Sequence, residues 1–529
     1  MAVVPVKDLG IGGIVRDTPA VLLNPGVFSD GRNVRFDNAS VRKMEGHVQI
    51  LPDLTGATNP HFGIHWPRPE DRYNIYANAQ NIYRVDQAGT MVDITQRVPF
   101  DSTNPADKKV YRTGSRWHGN LFTGGYAVVM NNTVDTPTYI IYGNTGNTQE
   151  IRFVDLPGWN YNPSFSRISA GVLRPFGNQL MAGNITAVEA GSGIVFTQPG
   201  TIRLSTNAAP GAIPETWEPF EGDFAAEEFE LSQSEPIVDM AELRGSMFVY
   251  TGDSIHQVTA GAAGASQRTY AIGYGCLAID CVAAFDGQHF VVDRNDVYVH
   301  SGAGNIQSVI DYKNRDYFFN ALNQTHFQNT FVVPNRAEDE LWICFPNQQA
   351  NAEGDCNEAM IWNYRHNNWT TRDLPNARAG FQGPMVTNNE FRPSDERTII
   401  VSRADSRFYA MDEGFSFNGA PYQAFVERKR TVASDDDTMK FIRSFYPIFD
   451  PLTTTTTEVS ISFRGQDNFS DDVDLTDRRT IVNSFNPSRE YKIDPYVEGR
   501  LINYRLETND TQSWNLAGVS IDVRADGTR

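Results

Sequence analysis

The feature that most restricts how this chain can fold is a short unit, two apolar strands joined by a tight turn, that recurs along most of its length. The turns read AQN, HGN, FGN, RGS, DGQ, AEDE and ADS, and most carry the Gly, Asn or Asp typical of hairpins. About seven such units lie roughly 40 to 70 residues apart. They are Tyr73 to Val85, Trp117 to Gly125, Val172 to Asn184, Val238 to Val258, Val282 to Gly302, Phe331 to Pro346 and Thr398 to Asp412.

Repeats of this length predict a particular architecture. A small antiparallel sheet cannot bury both faces until neighbouring sheets stack on it, and a period near 40 to 50 residues is typical of propeller blades. Aromatic residues make up 12% of the chain, with 42 Gly and 28 Pro, which suits short strands and tight turns. No long stretch has the pattern of a helical protein. We therefore predict an all-β fold, built as an irregular β-propeller.

The stretch Met360 to Pro375, MIWNYRHNNWTTRDLP, could be an active-site loop or one of these hairpins. Because the same pattern recurs elsewhere, we interpret it as two strands joined by the turn RHNN. Trp362, Tyr364 and Trp369 are then packing residues rather than a ligand platform. His366 lies in the turn and is assigned no chemistry.

The pattern changes from about Phe415 onward. Acidic stretches at Ser434 to Thr438 and Asp467 to Asp477, and a threonine run at Thr453 to Thr457, interrupt the strands. The last strands alternate as a half-buried antiparallel sheet does. The predicted organisation is a platform segment at 1–60, a propeller-like repeat domain with loop insertions at 61–414, and a C-terminal β-sandwich-like platform domain at 415–529.

The formal charge is −19, from 64 Asp and Glu against 45 Lys and Arg. This balance argues against a protein that grips nucleic acid, since phosphate binding needs a basic surface. It leaves open that nucleic acid passes by, because an acidic wall repels DNA and offers it no place to bind.

Cysteine content and hydropathy indicate where the protein is made. Four cysteines are too few to stabilise a chain of 529 residues, so free thiols in a reducing compartment are expected. The N-terminus lacks the basic flank and apolar run of a secretory signal. No apolar run approaches the roughly 20 residues that span a bilayer, so we predict synthesis in a host cytoplasm and no membrane-spanning segment.

Motifs for catalysis and metal binding are weak or absent. His61 and His65 are four residues apart but lack the Glu of HExxH, and Cys276 and Cys281 lack further zinc ligands. The acidic stretch Asp467 to Asp477 lacks the central Gly and terminal Glu of an EF-hand loop. No GxSxG motif occurs. We predict no catalytic, cofactor-binding or metal-binding residues, and a protein that is not an enzyme.

Three segments together resemble one family of proteins. Val27 to His47 reads NVRF, a turn, then VRKMEG; Arg203 to Pro219 reads S, then Pro-Gly, then Pro-Glu-Thr-Trp; Gly499 to Val523 reads as a closing pair of strands. In this order, with the repeats between them, they resemble tail nozzle proteins of short-tailed, podovirus-like bacteriophages, also called tail tubular or hub proteins. The nozzle and the related DNA-stabilising hub proteins are not separated by these motifs.

The resemblance implies a structural virion protein located in the tail. Six copies would form a ring below the adaptor ring and enclose the channel through which DNA leaves. The expected partners are other copies in a homohexamer, the tail adaptor protein, the tail fibres, and viral DNA that passes without specific binding. No cofactor is implied.

The N-terminal hairpin is a basic cluster in an acidic chain, formed by Arg32, Arg35, Arg42 and Lys43. One interpretation is a solvated face. The other is that these charges orient a neighbouring subunit or the adaptor, since charge complementarity governs register and association rate. On that hypothesis, reversing Arg35 and Arg42 to Glu impairs tail assembly without unfolding the monomer.

Passage of DNA sets an expectation for the channel wall. Six copies would carry six times −19, or −114, so an acidic or neutral lumen with few phosphate contacts is predicted. A narrow point would be formed by loops, which yield more easily than strands. Candidate loops lie between Gly143 and Pro163 and between Ala187 and Gly200.

Two other functions are compatible with a repeated β-sheet chain. A phage receptor-binding or glycan-degrading propeller would require a cleft with paired carboxylates, which the sequence does not single out among 64 acidic residues. A cytoplasmic propeller scaffold would show a more regular repeat.

Overall fold

Strands dominate the structure, a computed structural model, with 55% strand and 4% helix, which makes the protein all-β. It describes residues 2–6, 8–51, 59–67, 72–86, 89–99, 102, 104, 106–112, 116–141, 152–219, 226–232, 235–261, 264–387, 390–431, 438–450, 457–468, 473–477 and 480–525. The described helices are α1 (Arg315–Ala321) and short 3-10 turns at Ala20–Leu22, Thr123–Gly125, Phe327–Asn329 and Arg336–Glu338.

The described strands fall into three groups along the chain. The N-terminal strands are β1 (Ala2–Val6), β2 (Asp30–Arg32), β3 (Val34–Asp37), β4 (Ser40–Lys43) and β5 (His47–Gln49). The central strands are β6 (Phe62–Pro67), β7 (Arg72–Ala77), β8 (Ile82–Val85), β9 (Met91–Asp93), β10 (His118–Phe122), β11 (Ala127–Asn131), β12 (Thr138–Ile141), β13 (Val154–Asp155), β14 (Phe165–Phe176), β15 (Gln179–Glu189), β16 (Val195–Leu204), β17 (Glu227–Glu230), β18 (Asp239–Leu243), β19 (Ser246–Tyr250), β20 (Ser254–Gly261), β21 (Gly264–Ile272), β22 (Val282–Phe285), β23 (Gln288–Val292), β24 (Val297–His300), β25 (Ile306–Ser308), β26 (Phe331–Asn335), β27 (Glu340–Phe345), β28 (Cys356–Asn363), β29 (Asn368–Thr387), β30 (Glu390–Ser402) and β31 (Arg407–Met411). The C-terminal strands are β32 (Tyr422–Thr431), β33 (Lys440–Phe449), β34 (Val459–Gln466), β35 (Ile481–Phe485), β36 (Val497–Gly499), β37 (Leu501–Asp510) and β38 (Asn515–Ala525).

The central strands form a series of small antiparallel sheets in chain order. β6–β9, β10–β13, β14–β17, β18–β21 and β22–β25 make five four-stranded sheets, each built from consecutive strands. β26–β31 and β5 make one seven-stranded sheet. Most of the connections within these sheets are short turns, which leave antiparallel neighbours as the accessible partners.

The seven-stranded sheet consists of two sets of strands that share β29. The first part of this 20-residue strand pairs with β28, and the part after a bulge at Ala377 pairs with β30. The N-terminal strand β5 then pairs with β31, with His47 opposite Met411 and Gln49 opposite Tyr409. The N-terminal segment therefore completes the last set of central strands.

The first strands of successive sheets contact one another. β6 contacts β10, and the same holds for β10 and β14, β14 and β18, β18 and β22, and β22 and β26. β26 contacts β29, and β29 contacts β6. Large apolar residues fill the spaces between neighbouring sheets; one cluster, for example, combines Trp66 of β6, Trp117 before β10 and Val128 of β11.

The chain ends meet in two further sheets. One has five strands in the order β2-β32-β37-β34-β35, and the other has β3-β4-β38-β33-β36 with β1 also paired to β38. Both sheets contribute to one core, which includes Val34, Phe445 and Ile521 from one sheet and Ile461 and Leu506 from the other. Sheet membership changes between β31 and β32, close to the predicted change of pattern.

One predicted turn is wrong. HGN at 118–120 lies inside β10, and the chain turns at Thr123–Gly125. The glycine has a packing role instead, since a Cβ at Gly119 would come within 3.0 Å of Phe62 Cζ. A strand glycine often marks such a close approach rather than a turn. The hairpin at Met360 to Pro375 forms as predicted, with Trp362 and Trp369 stacked 6.3 Å apart in the core.

Candidate functional site

Arg35, one of the four basic residues of the N-terminal hairpin, is buried inside the chain. Its side chain is 2% exposed. Nε donates to Glu340 Oε1 at 2.7 Å, Nη1 donates to Glu45 Oε2 at 2.8 Å, and Nη2 donates to Asp412 Oδ2 at 3.0 Å. Arg372 donates to the other oxygen of Asp412 at 2.7 Å. These contacts join β3 to the seven-stranded sheet.

The other three basic residues also contact this chain. Arg42 pairs with Glu45 and Glu338, and Arg32 pairs with Glu358 and Asp373. The Lys43 ammonium contacts Asp510 and lies 4.4 Å from the centre of the Tyr422 ring. Burial lowers the pKa of Lys43, with Asp510 opposing this shift.

The geometry gives the hairpin a role within the chain. All four side chains tie N-terminal strands to the central or C-terminal sheets, and the solvated-face interpretation does not describe Arg35 or Lys43. Contact with a neighbouring subunit or adaptor stays a prediction. Arg32, with a side chain 31% exposed, and Arg42 retain some accessible surface for it.

A cavity lies where the first strands of the small sheets converge. Its volume is about 460 Å³, and residues of β6, β10, β14, β18, β22, β26 and β29 line it. The partly exposed apolar residues of its walls include Ile64, Val282 and Ala379. The polar groups that line it are His61, Arg116, Asn120, Arg174, Asp239, Glu242 and Asp280.

Four charged residues beside this cavity form one network. Arg174 of β14 donates through Nη2 to Asp239 Oδ1 at 2.6 Å and to Asp280 Oδ1 at 2.9 Å. Arg116 Nη2 approaches Asp280 Oδ2 at 3.5 Å, and its Nη1 donates to the carbonyl of Gln328. The backbone N–H of Asp280 donates to Asp239 Oδ2 at 2.8 Å. The network therefore links residues that lie in or shortly before the first strands of five successive groups, β10, β14, β18, β22 and β26.

The two carboxylates of the network differ in pKa. Burial raises the pKa of Asp239, against the stabilising effect of Arg174. Asp280 is also desolvated, but Arg174 and Arg116 hold its pKa below the usual value. Asp280 is the more accessible of the two, with a side chain 31% exposed against 1% for Asp239. All four carboxylate oxygens have donors, an arrangement that suits an ion-pair network more than proton transfer.

The two stretches predicted to be loops that narrow a channel both contain strand residues. Residues 187–200 form the end of a hairpin, because Val188 pairs with Val195 and Thr186 with Thr197. Ile194, Val195 and Phe196 at its tip are exposed. Residues 143–151 of the other candidate lie outside the described residues, and the rest of it contains β13. Whether either stretch lines a channel stays a prediction.

The histidines and cysteines considered as metal ligands from the sequence lie in other environments. His65 Nδ1 lies 3.0 Å from Asn74 Oδ1, and His61 lines the cavity. Cys276 and Cys281 are buried free thiols, and burial raises the pKa of both. Within the described ranges, no three His, Cys, Asp or Glu side chains are grouped as a metal site requires. In the same part of the chain, no helix is long and apolar enough to cross a bilayer.

Sequence reasoning missed the charged network at the cavity. Its members are single charges within or beside apolar runs, as in VLRPF around Arg174 and VDMAEL around Asp239. An isolated charge in a strand otherwise apolar is a usable signal, because such a charge is rarely buried without a partner. The partners themselves come from other sheets and cannot be identified locally.

No family model matches the chain, and no curated protein matches it significantly.

Proposed function

We propose that the chain is a structural virion protein that forms the nozzle ring of a short phage tail, encloses the DNA exit channel and docks on the adaptor ring. The proposal rests on the pairing of the first and the last of the three segments that resemble the phage tail family. The segment Val27 to His47 supplies β2, β3 and β4, and the segment Gly499 to Val523 supplies β37 and most of β38. β4 pairs with β38, with Val41 opposite Leu516.

The pairing places both ends of the motif pattern in one unit. β2 and β37 also flank the same strand, β32, in the five-stranded sheet. In this proposal the unit is the platform that meets the adaptor ring. The third motif segment lies among the central sheets, where Trp217 packs edge-on against Trp159 at 4.7 Å.

The central sheets support a propeller of seven blades within this protein. Five four-stranded sheets and the two strand sets that share β29 supply seven units. Their first strands contact one another in chain order, and the contact of β29 with β6 joins the last unit to the first. The pairing of β5 with β31 would close the last blade with an N-terminal strand.

In this proposal the DNA channel lies between copies of the chain. The cavity of about 460 Å³ has the size of a small-molecule pocket. A duplex does not fit, since the major groove of B-DNA alone is about 12 Å wide. The channel would therefore be enclosed by a ring of copies, with the net charge of −19 on each disfavouring phosphate contacts.

The test is cryo-electron microscopy of virions of the phage that encodes this chain, with mass spectrometry of the isolated tails. We expect a sixfold ring of density, below the adaptor, into which the structure fits with its two terminal sheets toward the adaptor. Matched particles made without the chain should keep the adaptor and lack the ring. Tails without the chain, or density for it only in fibres, would contradict the proposal.

A second candidate function is a glycan-degrading propeller, favoured by two carboxylates with opposite pKa shifts beside a cavity. Glycosidases place one carboxyl on each side of the scissile bond. Here Asp239 and Asp280 share one guanidinium, that of Arg174, and Asp239 is buried. Hydrolysis of a polysaccharide by the purified protein, lost in Asp280→Asn, would support this function over the nozzle.

A further inference from the structure

The central cavity has the features of a ligand site that the ring function does not use. Its volume of about 460 Å³ falls within the roughly 300–1,000 Å³ of small-molecule pockets. It combines apolar walls with a few convergent polar groups, which is the usual composition of such pockets. The cavity belongs to one copy of the chain, so its use does not depend on assembly.

The charges at the cavity point to a neutral ligand. Arg174 is committed to Asp239 and Asp280. Arg116 lies 3.5 Å from Asp280, so the positive charge of Arg116 and the negative charge of Asp280 offset one another. Glu242 adds a carboxylate at a solvent-exposed position, where water screens it. A strongly charged ligand would leave one of these groups without compensation.

The hydrogen-bonding groups suit hydroxyls. Asp280 and Glu242 have lone pairs that can accept a further hydrogen bond, and the Arg116 guanidinium has N–H groups beyond the two that it uses within the chain. Asn120 Oδ1 can accept, and Asn120 Nδ2, which donates to the Leu173 carbonyl, has a second hydrogen to donate. In each described four-stranded sheet the first strand stands at one edge, so a row of its backbone N–H and C=O groups has no strand partner within that sheet. Donors and acceptors thus alternate around the cavity. A hydroxyl both donates and accepts, which matches such a lining better than a carbonyl or an amine does.

The remaining wall is apolar. Ile64, Val282 and Ala379 come from three different strands, line the same space and are partly exposed. A sugar ring presents an apolar C–H face as well as hydroxyls, so it can contact apolar side chains on one side and polar groups on the other. We propose that this cavity binds a neutral monosaccharide or disaccharide without cleaving it.

The test is saturation-transfer NMR on the purified full chain. The probes are glucose, galactose, mannose, N-acetylglucosamine, lactose and maltose, each at about 10 mM, which detects dissociation constants in the millimolar range. We expect transfer to at least one of them. Absence of transfer to all six would overturn the proposal, and the cavity would then hold only water.

Two variants locate the binding. Ala379 and Ala241 line the cavity from different strands, and Ala379→Leu or Ala241→Leu should each weaken binding at least about tenfold by filling it. Ala260→Leu is the control, because Ala260 is exposed at the end of β20. Thermal unfolding of each variant identifies those that remain folded. Binding that survives in the folded cavity variants, or is equally weakened in the control, would contradict the proposal.

Discussion

Arg35 shows how a charge can determine the assembly of sheets that are far apart in sequence. Its guanidinium contacts carboxylates from three places, Glu45, Glu340 and Asp412, and is almost fully buried. Removing one partner of a buried pair leaves an uncompensated charge, which costs far more than losing an exposed pair. The cluster therefore holds the terminal sheets against the central ones only while it is complete.

We expect Arg35→Glu to destabilise the folded monomer by about 3–5 kcal/mol or more, because it places a further carboxylate among Glu45, Glu340 and Asp412. This differs from the sequence-based expectation that charge reversal leaves the monomer folded. Urea unfolding followed by fluorescence measures the loss. Arg365→Glu is the matched control, because Arg365 is 67% exposed and its pair with Asp339 should be worth less than about 1 kcal/mol. Equal losses in the two variants would contradict the role of burial.

Buried histidines predict acid sensitivity. Tyr250 OH lies 2.7 Å from both His289 Nδ1 and His300 Nε2. Burial lowers the pKa of His289 to about 4, and burial together with His289 lowers that of His300 to about 3. The folded state thus binds fewer protons than the unfolded state, whose histidines titrate near 6.5. Their contribution is complete above pH 6.5 and is lost as pH falls toward 4 and 3.

We expect the free energy of unfolding to fall by up to about 1.4 kcal/mol per pH unit for each such histidine between pH 6.5 and 4. Urea titrations across this range measure the slope. The double variant His289→Gln, His300→Gln should have a shallower slope, whereas His366→Gln, at a half-exposed turn, controls for replacing a histidine. An unchanged slope in the double variant would assign the acid sensitivity to other groups.

At the level of the elements, glycines in the first strands allow neighbouring sheets to approach. A Cβ at Gly63 of β6 would lie 2.8 Å from Phe381 Cε1 and 2.8 Å from Val401 Cγ2. These two residues belong to β29 and β30, so Gly63 lies at the contact between the first and the last central sheets. Such a distance requires a shift of packed side chains.

Gly63→Ala should therefore lower stability by about 1–3 kcal/mol through overpacking at this contact. Gly518→Ala in β38 is the control, since a Cβ there would meet its nearest atom at an ordinary 3.5 Å. Thermal unfolding compares the two variants. If Gly63→Ala were as stable as the wild type, the close contact of β6 with β29 would not be a constraint on the fold.

For the whole molecule, the excess of acidic residues has a direct consequence. A net charge of −19 opposes the phosphate contacts that give nucleic-acid binding its strength. The described Arg and Lys side chains discussed above are also paired within the chain. A protein that surrounds moving DNA benefits from this, because each strong phosphate contact would have to break as the DNA advances.

Purified protein should therefore show no binding to a labelled 20-base-pair duplex at physiological salt, a duplex length of about two helical turns. Fluorescence anisotropy measures this. Non-specific DNA-binding proteins reach dissociation constants of about 10⁻⁴–10⁻⁶ M under such conditions. Binding in this range or tighter, with a steep dependence on salt, would contradict the proposed acidic channel wall. A basic protein of similar size serves as the positive control.

What the sequence alone determined about this protein is local in origin. Hairpins such as the one joining β28 and β29 were predicted because turn residues and alternating strands act over a few positions. The all-β class and the change of pattern near residue 415 follow from the same local signals. The turn predicted at residues 118–120 is wrong because a glycine in a sequence can indicate either a turn or a close packing contact.

Only the tertiary structure decided which distant segments meet. Several contacts depend on residues that are hundreds of positions apart in the sequence. Gln49 pairs with Tyr409, and Val41 pairs with Leu516. The burial of Arg35 depends on similarly distant residues. A charge has the same identity in the sequence whether it is solvated or buried, and its partners are brought to it by the packing of whole sheets. The cavity and its charged network arise in the same way, from single residues that become neighbours when the first strands converge.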